Sequence, residues 1–116
     1  MNIPFSPPDI TEEEIEAVAE VMRSGWITTG PKTKELERKM AEFTHTNRGV
    51  CLNSATSCME MALRLFEIGP GDEVIVPAYT YTASASVVCH VGATLRLVDV
   101  EKGTFHIDYA AVESND

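Results

Sequence analysis

The sequence predicts an α/β fold in which two helices precede a βαβαβ unit with parallel strands. From about residue 49 onward, short apolar runs typical of buried strands alternate with helical patterns. Glycine, proline and small polar residues mark the short links between these segments. Strands that follow one another through a helix pair in parallel with right-handed crossovers, so the alternation indicates a parallel sheet.

The segment before residue 49 predicts an extended arm and two helices. Three prolines favour an extended conformation over residues 1–10. Thr11 has the features of an N-cap and Glu14 completes a capping box, so the first helix begins here and ends before Gly25. The second helix is predicted over residues 31–44, because its first position is a proline and its apolar residues recur at helical spacing.

The predicted βαβαβ unit has three strands and two connecting helices. Each strand is a short apolar run that ends at a turn, and each helix has its apolar or small residues on one face. The strands are expected at residues 50–52, 73–76 and 94–98, and the helices at residues 59–66 and 80–90.

The last part of the sequence predicts one more short extended segment, which includes Phe105 and Ile107, and the opening turn of a helix at 109–113. Parallel sheets are normally covered on both faces, and three strands with their helices are few for such a fold. We therefore expect a domain that is interrupted before it closes. The expected division is an arm with two helices (1–47) and a partial α/β domain (48–116).

Composition excludes several classes of function. The chain has 116 residues and a net charge of −9, which argues against nucleic acid or an anionic membrane as a partner. No segment resembles a signal peptide or approaches the ~20 apolar residues of a membrane span, so a cytoplasmic protein is expected. Three cysteines without a CxxC pair and three scattered histidines predict reduced thiols and no metal site.

The polar turn at residues 53–57 is the strongest candidate site. It follows a predicted strand and precedes a predicted helix, and ligands of open α/β sheets bind at the carboxyl ends of strands. Free N–H groups at a helix start suit a phosphate, and the hydroxyls of Ser54, Thr56 and Ser57 could add hydrogen bonds. An ordinary N-cap explains the same residues, so both interpretations stay open.

Two further features lie after the second and third predicted strands. Tyr79 and Tyr81 follow the second strand, where an aromatic ring could stack on a flat heterocycle. Packing is the alternative for at least one of these tyrosines. Asp99 directly follows the third strand and is either a catalytic acid or the first residue of a turn.

The loop between the two leading helices, residues 25–31, is a third candidate site. Trp26, which is the single tryptophan of the sequence, is either a core residue or an interface residue. Thr28 and Thr29 are either ligand contacts or helix caps.

Taken in order, four segments resemble the DegT/DnrJ/EryC1/StrS family of sugar aminotransferases, which depend on pyridoxal 5'-phosphate (PLP). One such segment would be weak support, but four in register along nearly the whole chain are specific. The segments are SGWITTGPK at 24–32, NSATS at 53–57, IGPGDEVIVP at 68–77, and GAT at 92–94 running into VDV at 98–100.

The resemblance implies the N-terminal part of a fold type I large domain in a homodimer whose active sites lie at the interface. It also implies amino transfer, usually from glutamate, to a keto nucleotide sugar, as in the biosynthesis of cell-surface polysaccharides or antibiotic sugars. By position, Thr56 and Ser57 would hold the PLP phosphate and Tyr81 would stack on the pyridine ring. Thr28 and Thr29 would lie near the substrate.

The same resemblance implies that the chain has no catalytic residue of its own. The family chemistry needs a lysine that forms a Schiff base with PLP and an acid that pairs with the pyridine nitrogen. In the family both come later in the sequence; none of the four lysines here lies at the Schiff-base position, and Asp99 is not that acid. We therefore expect the chain to be inactive alone.

Three alternatives remain at this stage. A sugar dehydratase of the same family would replace the Schiff-base lysine. A non-catalytic protein could pair with a full-length relative or be a remnant. A flavodoxin-like module could use Asp99 at an acidic site, although that fold usually begins with a strand and this sequence begins with an arm and two helices.

Overall fold

The computed structural model describes residues 3–4 and 6–114. Two compact units span Met1–Cys51 and Leu52–Asp116, while the division into domains 1–47 and 48–116 stays a prediction. Residues 1, 2 and 5 of the predicted arm lie outside the described residues, and its other residues form no helix or strand. The elements in order are α1 (Glu12–Ser24), α2 (Pro31–Thr44), α3 (Ala55–Leu65), β1 (Glu73–Pro77), α4 (Ala83–His90), β2 (Thr94–Val98) and α5 (Tyr109–Glu113).

Helix α1 begins and ends as its sequence predicts. The Thr11 hydroxyl accepts a hydrogen bond from the Glu13 N–H, and the Glu14 carboxylate accepts one from the Thr11 N–H at 2.6 Å. Hydrogen bonds from the Thr11 side chain and then from its backbone hold the pKa of Glu14 below its usual value. Gly25 ends the helix at a φ of 72°, a left-handed conformation that glycine adopts without strain.

Helix α2 also has the predicted limits. Pro31 occupies its first position, where the missing N–H removes no helical hydrogen bond. His45 ends the helix in the left-handed conformation. The Glu37 carboxylate then accepts a hydrogen bond from the Cys51 N–H at 2.9 Å and so fastens the chain that leaves α2 back onto the helix.

The second unit contains the predicted parallel pair. Strands β1 and β2 are parallel, with a register that runs from Glu73 opposite Thr94 to Pro77 opposite Val98. Helix α4 connects them, which gives one βαβ unit. The fold class expected from the alternating pattern is confirmed in this part.

A small aliphatic core lies where α4 packs against the two strands. The sheet contributes one valine from each strand, and the helix contributes short side chains that allow close approach. Val88 is the most buried of these, with 1% of its surface exposed. The buried residues are Val76, Ala83, Val87, Val88 and Val98.

The predicted first strand at residues 50–52 is wrong for the described part of the chain. These residues have no strand conformation, and the sheet there has two strands instead of three. A strand requires a neighbour to share its backbone hydrogen bonds, and no described segment pairs with residues 50–52. An apolar run in the sequence indicates burial but does not reveal its partner.

Two helices start at positions other than those predicted. Helix α3 starts at Ala55, four residues before its predicted start, because Ser54 is its N-cap. Residues that were predicted as a polar turn therefore form the first turn of the helix. Helix α4 starts at Ala83, three residues later than predicted. The chain end agrees with expectation: Val100 and Ile107 form an antiparallel bridge, and Asp108 caps α5.

No helix within residues 3–4 and 6–114 is long and apolar enough to cross a membrane.

Candidate functional site

The first turn of α3 is organised by a network of small polar side chains. The Ser54 hydroxyl accepts a hydrogen bond from the Ser57 N–H at 3.1 Å. The Ser57 hydroxyl lies 3.0 Å from the Ser54 hydroxyl and donates to the Asn53 side-chain carbonyl at 2.7 Å. These bonds fix the turn without using the two amides that lie between Ser54 and Ser57.

The two amides of Ala55 and Thr56 therefore remain open. Neither N–H has an acceptor among the described residues, and the half-buried Thr56 hydroxyl has no partner there either. The first N–H groups of a helix point outward along its axis and bear partial positive charge. This turn can thus receive a small anion, although it follows an irregular segment and not the predicted strand.

The structure separates the roles of the two tyrosines. The Tyr79 ring stacks on Phe105, with ring centroids 5.1 Å apart and planes inclined by 23°. This stack joins the segments that follow β1 and β2, so it lies at the carboxyl edge of the sheet. The Tyr81 side chain is 82% exposed, with no ring contact in the described chain. One tyrosine therefore packs, as the sequence predicts.

The phosphate and ring candidates lie in the same unit but do not touch. Thr56 and Ser57 share the first turn of α3, and Tyr81 lies two residues before α4. No hydrogen bond or ring contact joins Tyr81 to either of them within residues 52–114. Their assignment to a cofactor remains a prediction.

The loop between α1 and α2 is held by its tryptophan. The Trp26 indole N–H donates to the Thr29 carbonyl at 3.1 Å. A Cβ on Gly30 would lie 2.2 Å from the Trp26 Nε1, so the ring position requires a glycine there. Trp26 and Thr28 line a cavity of about 420 Å³, whereas Thr29 contributes its carbonyl to the loop. Substrate contact by Thr28 and Thr29 remains a prediction.

Asp99 has the contacts of a turn residue. Its carboxylate accepts a hydrogen bond from the Val100 N–H at 2.8 Å, and its carbonyl accepts one from the Asp108 N–H at 3.2 Å. In the part of the chain that the structure describes, no group of three or more histidine, cysteine or acidic residues could hold a metal ion.

Glu60 is a residue that the sequence did not single out. Its carboxylate accepts a hydrogen bond from Arg64 at 2.8 Å and lies 3.0 Å from the Nδ1 of His90. The bond from Arg64, followed by that of His90, holds the pKa of Glu60 below its usual value. The spacing of four residues indicates the Arg64 pair, but no local pattern indicates a partner 30 residues away.

Known proteins are similar to this chain in both sequence and fold. Residues 8–115 match the model of the DegT/DnrJ/EryC1/StrS aminotransferase family. A protein of Streptococcus pneumoniae assigned as a sugar aminotransferase is 62% identical over the whole chain, with a TM-score of 0.90, and has been solved in apo, PMP and PLP forms. An aminotransferase of Psychrobacter cryohalolentis is 34% identical over 96% of the chain, with a TM-score of 0.84.

A third solved protein, a GDP-4-keto-6-deoxymannose-3-dehydratase, has a TM-score of 0.87 at 21% identity over 99% of the chain, which shows a shared fold alone. The chain spans 29% of the length of the two aminotransferases and 31% of the length of the dehydratase. These matches confirm the expected fold class, an N-terminal portion of a fold type I PLP enzyme. The chain belongs to the DegT/DnrJ/EryC1/StrS aminotransferase family.

Proposed function

We propose that the chain is the N-terminal portion of a cytoplasmic, homodimeric PLP enzyme that transfers an amino group, with glutamate as donor, to a keto nucleotide sugar. The observation that supports this most directly is the open first turn of α3, which lies within the matched family region. The two aminotransferases reported above favour transfer over dehydration, because the dehydratase shares only the fold.

The first turn of α3 fits a phosphate ester. The N–H groups of Ala55 and Thr56 and the Thr56 hydroxyl have no partner among the described residues, and the turn contains no acidic side chain. Ser57 supports the turn, because its hydroxyl donates to the Asn53 side chain and accepts from the Ser54 hydroxyl. The overall negative charge does not oppose this, because backbone N–H groups bind the anion locally.

The other assigned residues would position the ring and the substrate. Tyr81 has an exposed ring that is free to stack on a pyridine, whereas Tyr79 is already stacked on Phe105. Thr28 lines the cavity beside Trp26, and Thr29 fixes the loop through its carbonyl. When bound, PLP supplies an electron sink for proton removal beside the transferred nitrogen. This chain contributes binding and orientation, and no catalytic residue.

Binding of PLP to the chain tests this proposal. We expect PLP to bind at least about tenfold more tightly than pyridoxal, because each charge-assisted hydrogen bond to the phosphate contributes roughly 1.5–3 kcal/mol. Equilibrium dialysis measures both affinities. Borohydride reduction followed by peptide mapping should find no lysine that is modified preferentially. Equal affinity for pyridoxal, or trapping on one specific lysine, would contradict the proposal.

The two tyrosines give a matched test of the ring contact. Tyr81→Ala should weaken PLP binding about fivefold, since an aromatic stack contributes on the order of 1 kcal/mol, and should leave the melting temperature unchanged. Tyr79→Ala should lower the melting temperature, because it removes the stack on Phe105. Dialysis and thermal unfolding by circular dichroism separate these effects. The assignment fails if Tyr81→Ala retains full affinity or destabilises the chain as much as Tyr79→Ala.

A further inference from the structure

One carboxylate links helices α3 and α4 of the second unit. Glu60 lies in the middle of α3, and its Oε2 is 3.0 Å from the Nδ1 of His90, the last residue of α4. Within residues 52–114, no other side-chain hydrogen bond joins these helices. The contact therefore ties the middle of α3 to the end of α4, in addition to the packing between the two helices.

The same contact is connected to the phosphate turn through the helix itself. Thr56 and Glu60 are four residues apart, so their side chains lie one above the other on one face of α3. A rotation of α3 about its axis would move the Thr56 hydroxyl and the open amides of the first turn together. The tie at Glu60 thus opposes a rotation that would redirect these groups.

The charges around this contact are few. On α3 the Glu60 carboxylate also binds Arg64, through a bond of 2.8 Å. On α4, His90 is the only ionisable residue besides Cys89. The strands that pack against α4 contribute Glu73 and Arg96, which pair with each other at 2.8 Å. A proton gained by His90 therefore acts mainly on Glu60.

We propose that Glu60 and His90 are a positioning pair that sets the presentation of Thr56 and Ser57 to phosphate, and that protonation of His90 tightens it. This inference rests on the proposed function of the α3 turn. A protonated imidazole donates a charge-assisted hydrogen bond from Nδ1, whereas a neutral ring donates there in one tautomer only. The pair thus links the protonation state of His90 to the phosphate turn.

Amide NMR of the 116-residue chain between pH 5 and 8 tests the coupling without any ligand. The Thr56 and Ser57 amide signals should shift with the same midpoint as the His90 ring. In Glu60→Ala these amide shifts should disappear while His90 still titrates. The matched variant Glu73→Ala breaks the pair with Arg96 on the strands and should leave the amide response intact.

The possible results separate this inference from the proposed function. The positioning pair is overturned if the Thr56 and Ser57 amide shifts do not follow the protonation of His90. It is also overturned if they follow it equally in Glu60→Ala, because the histidine charge then acts on the amides through space and not through Glu60. PLP dialysis at pH 6 gives the functional readout, with about twofold weaker binding expected in Glu60→Ala, as for other solvent-exposed ion pairs. Normal PLP affinity without the amide response rejects the pair alone. The amide response without any PLP binding rejects the proposed function alone.

Discussion

Replacing Val88 by aspartate is expected to destabilise the Leu52–Asp116 unit by roughly 3–5 kcal/mol. Val88 is 1% exposed and lies where α4 packs against β1 and β2. An unpaired charge at such a site costs roughly 3–5 kcal/mol, and none of the basic side chains that the structure describes is buried. That cost is a large part of the stability of a small domain, which is about 5–15 kcal/mol.

Val50→Asp is the matched control for this substitution. Val50 is 75% exposed, so the same change of side chain should alter stability by no more than about 0.5 kcal/mol. Thermal and urea unfolding, followed by circular dichroism, measure both variants against the parent chain. If Val88→Asp melts at the same temperature as Val50→Asp, the core does not lie between α4 and the two strands.

Local signals explain how much of this fold could be predicted. Thr11 and Glu14 form a capping box whose two hydrogen bonds lie within four residues, so the start of α1 can be predicted from the local sequence. The end of α1 at Gly25 and the start of α2 at Pro31 could also be predicted, because a left-handed cap and a first-turn proline each depend on a single residue. The parallel pairing of β1 and β2 was predicted and is confirmed. It could be predicted because the short links around α4 allow few other topologies.

The wrong predictions concern interactions that the local sequence pattern leaves undecided. Residues 50–52 are as apolar as a buried strand, but strand formation depends on a neighbour that an apolar run does not specify. The start of α3 was misplaced because Asn53, Ser54 and Ser57 favour both a turn and a capped helix start. Only the bonds among their side chains decide between the two.

The candidate site shows the same division. The sequence located the polar turn at 53–57 and expected one of the two tyrosines to pack, but did not identify Tyr79 as the packed one, because its partner Phe105 is 26 residues away. The contact between Glu60 and His90 could not be predicted from local patterns either, because the two residues are 30 positions apart. The leading helices illustrate a further limit, because helical spacing identifies an apolar face but not what covers it. The apolar residues Ile15, Val18, Met22, Leu36 and Phe43 are half or more exposed here.

Ala55→Pro should reduce PLP affinity about tenfold and leave the fold intact. Ala55 is the first residue of α3, where proline fits the helix and removes only an N–H that has no partner in the described chain. Ser54 already has the extended conformation that a residue before proline requires, with φ −162° and ψ 157°. A lost hydrogen bond to a phosphate corresponds to roughly 1.5–3 kcal/mol. Dialysis with PLP, and thermal unfolding of the same variant, measure the two quantities.

The control places the same substitution at the start of another helix. Glu12 is the first residue of α1, and the N-cap before it, Thr11, is also extended, so Glu12→Pro should be accepted with PLP affinity unchanged. If both proline variants weaken PLP binding equally, the effect is general and the α3 turn is not the phosphate site. If Ala55→Pro binds PLP as tightly as the parent chain does, the open N–H of Ala55 has no part in binding. Loss of affinity in Ala55→Pro alone, at an unchanged melting temperature, assigns the phosphate to the first turn of α3.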